Sequence, residues 1–429
     1  MLKLSGAFSG ASEKFILGFD LGDDVSGMSY ITESGEMETV STVAGREVFK
    51  IPTCLCKRPG AGQWFFGEAA RKFAREEGGI LVEGLLEKAV SGEPVTIDGT
   101  SYKPASLLTL FLKRCLGLLT QLGGESAMEG LLITVPVLDH NTLEALREAV
   151  AGLKLGSGKV WYQSYAESYY AYMIHQEEDL WLRGSLLLRL SGGNLQTFRM
   201  ETNRHTKPVV VYIDEQSYPF PEAPRSNRAD EDYEQMQRDR MLLNQTREII
   251  GPLQLSSIFL IGEDLSGDWM QESLKFLCKQ GRVFRGTNLF SKGACYGLQD
   301  RLKGTEAAKE HVFLGNEKLT CNVGMKILRH GEETYFALLD AGVDWFEASE
   351  EFDFYMEGGN EIDLHISSLV GGGSRTARIF LEGYSGEMTR MRASLYLTDV
   401  RHLVIRIEDL GLGEFSPSSM QTWKEEIEL

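Results

Sequence analysis

An apolar strand that ends in an aspartate and a glycine turn constrains this chain more than any other feature. The run Phe15–Phe19 is apolar, Asp20 follows it, and a turn with Gly22, Asp23 and Asp24 comes next. A continuous apolar run of this length is typical of a strand buried on both faces. The sequence therefore predicts a core strand that carries one carboxylate, Asp20, to a turn at the edge of a sheet.

Strand patterns alternate with helical patterns up to about Gly304. Leu131–Pro136 is another short apolar run, and Asn141–Leu153 follows it with apolar residues at helical spacing. Ser185–Arg189 and Ser257–Ile261 repeat the pattern of a buried strand. This alternation predicts an α/β architecture.

Two segments between these strands carry predictions of their own. Lys207–Arg228 contains four prolines, which favours an irregular excursion. Ala229–Ile250 is rich in charge and contains no proline or glycine, so we expect one long helix there.

From about Leu319 the apolar residues recur at every second position. Ile362, Leu364 and Ile366, for example, alternate with Asp363 and His365. Such alternation is typical of half-buried antiparallel strands, and no long helix pattern interrupts it. A β-sandwich over 319–429 is therefore expected, after an α/β region over 1–304 and a linker over 305–318.

Composition narrows the function classes. The net charge of −18 argues against nucleic acid or an anionic membrane surface as a partner. The sequence shows no run of about 18 apolar residues of the kind that spans a membrane, so a cytoplasmic location is expected. The six cysteines and seven histidines show no metal-ligand spacing, which favours reduced core thiols and no bound metal.

Several segments, in order along the chain, resemble the DnaK-type heat-shock chaperone family. They are FILGFDLGDDVS (15–26), LLITVPVLDHNTLEALREAV (131–150), SLLLRLSGGNLQTF (185–198), SIFLIGEDLSGDWMQESLKFL (257–277) and EIDLHISSLVGGGSRTARIFLEGY (361–384). The resemblance implies an actin-like (ribonuclease H-like) ATPase fold with lobes over about 1–180 and 181–304, followed by the family's peptide-binding β-sandwich. The resemblance ends before the helical lid that follows the sandwich in that family, so we expect no lid.

The first phosphate hairpin of that family offers an aspartate and then threonines to magnesium and phosphate. By resemblance, Asp20 matches the aspartate and Gly22 the turn glycine, while Asp23 and Asp24 replace the hydroxyls. Lys88 stands in the position of the family's catalytic lysine.

The second hairpin departs from the family more strongly. The family's pattern D-L-G-G-G-T becomes Arg189-Leu-Ser-Gly192-Gly193-Asn194, so an arginine replaces the metal-orienting carboxylate. Ser164 stands where the family has a glutamate. The adenosine-side glycine pair becomes Gly262 followed by Glu263. These residues define a degenerate nucleotide cleft.

Two accounts of this cleft compete. Each added carboxylate within about 4 Å of a nucleotide costs on the order of 1–4 kcal/mol per charge pair. Magnesium bridging carboxylates to phosphates would offset that cost. The alternative, which we favour, is a bidentate ion pair from Arg189 to Asp20 or Asp23 that occupies the place of the ion.

These expectations define the functional hypotheses. The favoured one is a non-catalytic, chaperone-like interaction or scaffold protein that needs no cofactor; the alternative is an ATP- and magnesium-dependent chaperone ATPase that binds extended peptides. For the sandwich, the resemblance places the peptide loops near Cys321–Arg329 and Leu339–Phe346. Trp345 and Phe346 are then either partner anchors or core residues. The acidic run Glu347–Asp363 favours a basic protein partner.

Overall fold

The computed structural model describes residues 13–43, 45–155, 159–221, 231–369 and 373–429, without the side chains of Glu125, Glu231 and Glu263. The chain forms two compact units, which divide between His311 and Val312. The segment predicted as a linker over 305–318 contains a short helix, Glu306–Glu310, that lies in the first unit.

The first unit mixes strands and helices. Its strands are β1 (Phe15–Asp20), β2 (Val25–Thr32), β3 (Met37–Thr39), β4 (Ile51–Pro52), β5 (Leu55–Lys57), β6 (Trp64–Phe66), β7 (Ile80–Val82), β8 (Val95–Ile97), β9 (Thr100–Tyr102), β10 (Met128–Val135), β11 (Val160–Ser164), β12 (Ser185–Ser191), β13 (Asn194–Asn203), β14 (Val209–Pro219), β15 (Ser257–Ile261) and β16 (Arg282–Gly286); β17 (His311–Phe313) crosses the boundary. Its helices are α1 (Gly67–Glu77), α2 (Leu85–Ser91), α3 (Pro104–Leu116), α4 (His140–Ala151), α5 (Tyr165–Ile174), α6 (Glu231–Ile250), α7 (Gln271–Gln280), α8 (Leu289–Lys303) and α9 (Glu306–Glu310). Short 3-10 helices lie at Gly117–Leu122, Gly124–Ser126, Glu178–Leu180 and Glu263–Leu265.

Two larger sheets of this unit repeat one topology. The first has the strand order β11-β10-β1-β2-β3, in which β1, β10 and β11 are parallel and β2 and β3 are antiparallel to their neighbours. The second contains the order β16-β15-β12-β13-β14 with the same directions in the corresponding places. In each order the first three strands, β11-β10-β1 and β16-β15-β12, are mutually parallel. The continuous apolar runs of β1, β10, β12 and β15 fit strands that are buried on both faces.

Helix α8 packs on the first sheet, although it follows the second sheet in the chain. It contacts β1, β2, β10 and α5, and Cys295 and Leu298 are fully buried there. The approach is close, because a Cβ on Gly18 would lie 2.2 Å from the carbonyl oxygen of Ser291. Helix α8, at the C-terminal end of the predicted lobe over 181–304, therefore lies against the first sheet.

The second sheet has its own core. Its strand β14 shows that the prediction of an irregular excursion over Lys207–Arg228 is wrong in part. Part of that segment is β14, which pairs with β13 over ten residue pairs from Asn194↔Pro219 to Asn203↔Val210; residues 222–230 lie outside the described part. The predicted helix over Ala229–Ile250 is α6, described from Glu231. Its Leu242 packs with Leu188 and Leu260 in one buried cluster.

The second unit consists of antiparallel strands. They are β18 (Cys321–Arg329), β19 (Glu332–Leu339), β20 (Ser349–Met356), β21 (Glu361–Ser368), β22 (Ser374–Phe380), β23 (Thr389–Leu397), β24 (His402–Asp409) and β25 (Thr422–Glu428). They form two four-stranded sheets, ordered β19-β18-β21-β22 and β20-β23-β24-β25. The predicted alternation appears in β21, where Ile362, Leu364 and Ile366 are buried.

The sequence was expected to contain no segment apolar enough to span a membrane, and one segment departs from that expectation. Pro104–Leu122 is long and apolar enough, by length and composition, to cross a membrane. Its first part, α3, buries Leu108 and Phe111 and packs against α2 and α4, as the core helix of a globular unit does. The six cysteines are free thiols, and all but Cys278 are buried.

Candidate functional site

A small cavity lies where β1, β12 and β15 end. Its volume is about 140 Å³, below the several hundred Å³ of usual ligand pockets. The ends of these strands contribute Asp20, Arg189 and Ile261 to its wall. The full lining is Asp20, Asp24, Val25, Ser26, Gly27, Phe49, Lys50, Tyr165, Arg189, Leu190, Ser191, Gly192, Ile261, Gly262, Asp264, Thr287, Asn288 and Phe290.

The cavity brings together half of the residues predicted for the cleft. Asp20, Asp24, Arg189, Gly192 and Gly262 line it, whereas Gly22, Asp23, Lys88, Gly193 and Asn194 lie outside its lining. Lys88 stays a prediction; its Nζ donates a hydrogen bond to the carbonyl oxygen of Glu83 at 2.7 Å. The lysine that lines the cavity is Lys50.

Tyr165 is the residue that sequence reasoning missed. It begins α5, and Ser164 caps that helix by accepting a hydrogen bond from the backbone N–H of Glu167. The Tyr165 hydroxyl donates to Oδ1 of Asp20 at 2.6 Å. Its ring stacks on Phe290 with centroids 3.8 Å apart and planes 5° apart. Tyr165 is 1% exposed, so the aromatic pair fills the space beside the first hairpin.

Arg189 does not make the predicted fork to the aspartates. Its Nη1 donates to Oε1 of Gln196 at 2.6 Å, and its guanidinium carbon lies 5.2 Å from the centre of the Tyr165 ring. Among the described residues it has no ion pair within 4.0 Å. The register explains the difference, because Gln196 lies directly opposite Arg189 across β12 and β13.

Burial governs the acidity of the first hairpin. It raises the pKa of Asp20 to about 6, although the Tyr165 hydrogen bond and the Arg189 charge both lower it. Burial also raises the pKa of Asp23, against the influence of Arg189. Arg189 therefore stabilises both carboxylates at a distance, without a direct hydrogen bond. A polyanion entering here would meet carboxylates that are already poorly solvated.

The glycines near the cavity have local structural causes. Gly192 and Gly193 have φ of 57° and 72°, and a two-residue hairpin turn of this kind requires positive φ at both positions. A Cβ on Gly262 would lie 2.5 Å from the carbonyl oxygen of Leu190. These glycines are therefore explained by the backbone alone, without a bound phosphate. The side chain of Glu263, predicted to obstruct the nucleoside, lies outside the described part.

The second unit does not present the predicted anchors. Trp345 is 8% exposed and packs edge-on against half-buried Phe346, with ring centroids 5.6 Å apart. The segment Cys321–Arg329, predicted as a peptide loop, is strand β18. The backbone N–H of Trp345 donates to the carbonyl oxygen of Glu317. The arrangement fits the alternative in which these rings are core residues.

Large apolar side chains are instead exposed at one end of this unit, which we call the apolar end. β20, β22 and β24 finish there, and β21 and β23 begin there, as the pairs Glu361↔Phe380 and Met391↔Asp409 show. Phe415 is 95% exposed and Met420 is 88% exposed. The apolar end comprises Leu328, Tyr355, Phe380, Met388, Phe415 and Met420.

Charge at the apolar end is mostly acidic. Exposed glutamates stand beside its apolar side chains, namely Glu332, Glu333, Glu357, Glu382, Glu387 and Glu414. Glu333 is paired with Lys326 at 3.0 Å, and the exposed bases Arg329 and Arg390 are fewer than these acids. The acidic run predicted to attract a basic partner is partly neutralised, however. Arg392 lies 2.8 Å from Asp353, and Arg378 lies 2.9 Å from Asp363 and 3.0 Å from Glu361. The acidic surface therefore lies around the apolar end more than along the strands of that run.

No cluster of potential metal ligands occurs in the part of the chain that the structure describes.

Among curated proteins, none matches this chain. Residues 318–429 match a domain of unknown function (DUF8552). Residues 36–316 match a family of unknown function (DUF5716), in its C-terminal part. This match covers more than half of the chain, which therefore belongs to that family of unknown function, DUF5716.

Proposed function

We propose that this protein is a non-catalytic, chaperone-like scaffold. In this proposal its first unit is an actin-like body with a closed nucleotide cleft, and its second unit binds a protein partner. One observation carries the first half of the proposal, namely the hydrogen bond from Tyr165 to Asp20 beneath the stacked ring of Phe290.

The chemistry of magnesium supports a closed cleft. Mg²⁺ needs near-octahedral oxygen ligands and holds nucleotides through carboxylates and phosphate oxygens. Here Oδ1 of Asp20 accepts from a buried phenol, and the opposite hairpin offers the cation Arg189 in place of a ligand. The cavity at the hairpins, of about 140 Å³, is itself too small for a nucleotide, although a larger cavity of about 790 Å³ adjoins it at Val25, Phe49 and Lys50. Because the glycines have local causes, they do not favour the ATPase alternative.

The apolar end supports the second half of the proposal. Exposed apolar patches on soluble proteins commonly mark interaction sites. Phe415 and Met420 stand almost fully exposed among glutamates. We therefore propose a partner segment that combines apolar and basic residues, held by burial of apolar surface and steered by charge.

Peptide binding measured by fluorescence anisotropy tests this proposal. We expect lysine-flanked apolar peptides to bind at low salt and matched glutamate-flanked peptides to bind more weakly. Met420→Ser should weaken binding, because it removes an apolar contact. Met236→Ser, at a 57% exposed methionine of the first unit, is the matched control and should change nothing.

Nucleotide provides the second arm of the experiment. Addition of MgATP should leave peptide affinity unchanged, and phosphate release should stay at background. Peptide binding that weakens on addition of ATP, together with turnover lost in Asp20→Ala, would overturn the scaffold proposal and favour a chaperone ATPase. Equal binding by Met420→Ser and the unchanged protein would reject the apolar end as the binding surface.

A further inference from the structure

A second cavity lies near the C-terminal boundary of the first unit, away from the Asp20 site. We call it the junction cavity. Its volume is about 650 Å³, within the range of pockets that hold small molecules. The turn after α5 contributes Gln176 and Trp181, the β13–β14 hairpin contributes Arg204 and Lys207, and the α9 region contributes Lys309 and His311.

The junction cavity is rich in hydrogen-bond donors and cations, in a chain whose net charge is −18. Three cationic side chains line it, Arg204, Lys207 and Lys309, against the carboxylates of Glu178 and Glu310. Glu178 forms an ion pair with Arg204, with Nη1 of the arginine 2.5 Å from Oε1 of the glutamate. Lys207, by contrast, has no ion pair within the described part of the chain. The cavity wall therefore favours an anionic group.

Trp181 supplies an independent sign of a ligand. Its side chain lines the junction cavity and is 4% exposed. Its Nε1 has no hydrogen-bond partner among the described residues. A buried indole N–H normally has a partner, and one left without costs about 1–3 kcal/mol. An acceptor from outside the described chain would satisfy it.

The surroundings of Trp181 also suit a flat apolar body. His311 meets the indole edge-on with ring centroids 5.4 Å apart, and the Arg204 guanidinium carbon lies 5.4 Å from the ring centre. Pro208 and Val209 add apolar wall. An aromatic group packed among these side chains would bury apolar surface while its charge faces the lysines.

We infer that the junction cavity binds a small organic anion, an aromatic carboxylate, with the carboxylate held by Lys207 and Arg204 and accepting from the Trp181 N–H. This inference is independent of the proposed scaffold function. Two of the lining residues, Lys309 and His311, belong to the segment that leads to the second unit.

Titration with 2-naphthoate tests the inference on the full-length ¹⁵N-labelled protein. Each of the six tryptophans contributes one indole N–H signal, and loss of one signal in Trp181→Phe identifies the one from Trp181. We expect naphthoate to shift that signal saturably. Lys207→Gln should weaken binding about tenfold, because a charge-assisted hydrogen bond is lost. Lys72→Gln, on exposed α1, should bind like the unchanged protein.

Calorimetry with the same probe gives a readout that does not depend on the assignment variant. The neutral analogue 2-naphthalenemethanol should bind far more weakly, and added salt should weaken naphthoate binding. Three results would each overturn the inference: no saturable binding of naphthoate up to millimolar concentration, equal affinity for the neutral analogue, or equal loss of affinity in Lys207→Gln and Lys72→Gln.

Discussion

The two repeated sheets of the first unit share strand order and direction, yet their leading hairpins carry opposite charge. The turn end of the β1–β2 hairpin carries Asp20, Asp23 and Asp24, whereas the turn end of the β12–β13 hairpin, over 189–196, carries Arg189 and no acid. In both sheets the leading strand and its parallel neighbour, β1 with β10 and β12 with β15, are buried apolar runs. The chemistry at the strand ends is therefore independent of topology.

The sheets also differ in how closely a helix approaches them. Helix α8 lies so close to the first sheet that only a glycine, Gly18, fits between them. Helix α5 crosses α8 at Gly293. The second sheet is covered by the apolar side chains of α6 and α7, such as Leu242 and Leu277. The first half of the unit therefore depends on backbone contact and the second half on ordinary side-chain packing.

Gly293→Ala should have the largest effect. A Cβ there would lie 1.9 Å from the carbonyl oxygen of Ser168, so two helices must separate. We expect a loss of more than about 3 kcal/mol in the free energy of unfolding, or failure to fold. Gly286→Ala is the control, since its Cβ would have no described atom within 4 Å. Urea unfolding measures both, and equal stabilities would contradict the close crossing.

Asp20→Asn comes next and should stabilise the protein at neutral pH. The pKa of Asp20 is raised from 3.8 to about 6 in the folded state, so folding takes up a proton between these values. Its contribution to stability is thus present below about pH 4 and lost as pH rises through 6. We expect a gain of about 1–3 kcal/mol at pH 7 that vanishes near pH 4.

Unfolding measured across pH 4–8 tests this, with Asp268→Asn as an exposed control. A parallel gain in both variants, or a gain that grows toward low pH, would refute the account of Asp20.

Tyr165→Phe should destabilise more modestly. It removes the O–H donor from Asp20 while retaining the stack on Phe290. Leaving a buried acceptor without its donor costs about 1–2 kcal/mol, measured by urea unfolding at pH 7. Tyr335→Phe, at a 54% exposed tyrosine, should leave stability unchanged. An unchanged free energy of unfolding in Tyr165→Phe would show that the hydrogen bond contributes little.

Arg189→Gln should have the smallest effect on stability, below about 1 kcal/mol. Its charge lowers the pKa of Asp20 and Asp23 without a direct bond. Its removal should therefore raise the pH at which the stability contributed by Asp20 is lost. It should barely change the free energy of unfolding near pH 4. A large loss confined to pH values at which Asp20 is ionised would instead indicate a direct ion pair.

Sequence patterns predicted the long elements of this fold better than its site. Apolar runs identified β1, β10, β12 and β15, and period-two spacing identified β21. β14 was missed because its outer half is polar and ends at a proline. Tyr165 was visible as an aromatic residue, but its partner Asp20 lies 145 residues away. Arg189 was misplaced because the cross-strand residue Gln196, not its charge, determines its hydrogen bond.

Titration calorimetry with MgATP tests the central proposal most directly. If the first hairpin is closed by Tyr165 and the second carries Arg189 in place of a metal ligand, the protein should give no saturable heat up to millimolar nucleotide. Asp20→Ala should behave in the same way. Magnesium-dependent binding at micromolar concentration that disappears in Asp20→Ala would contradict the account.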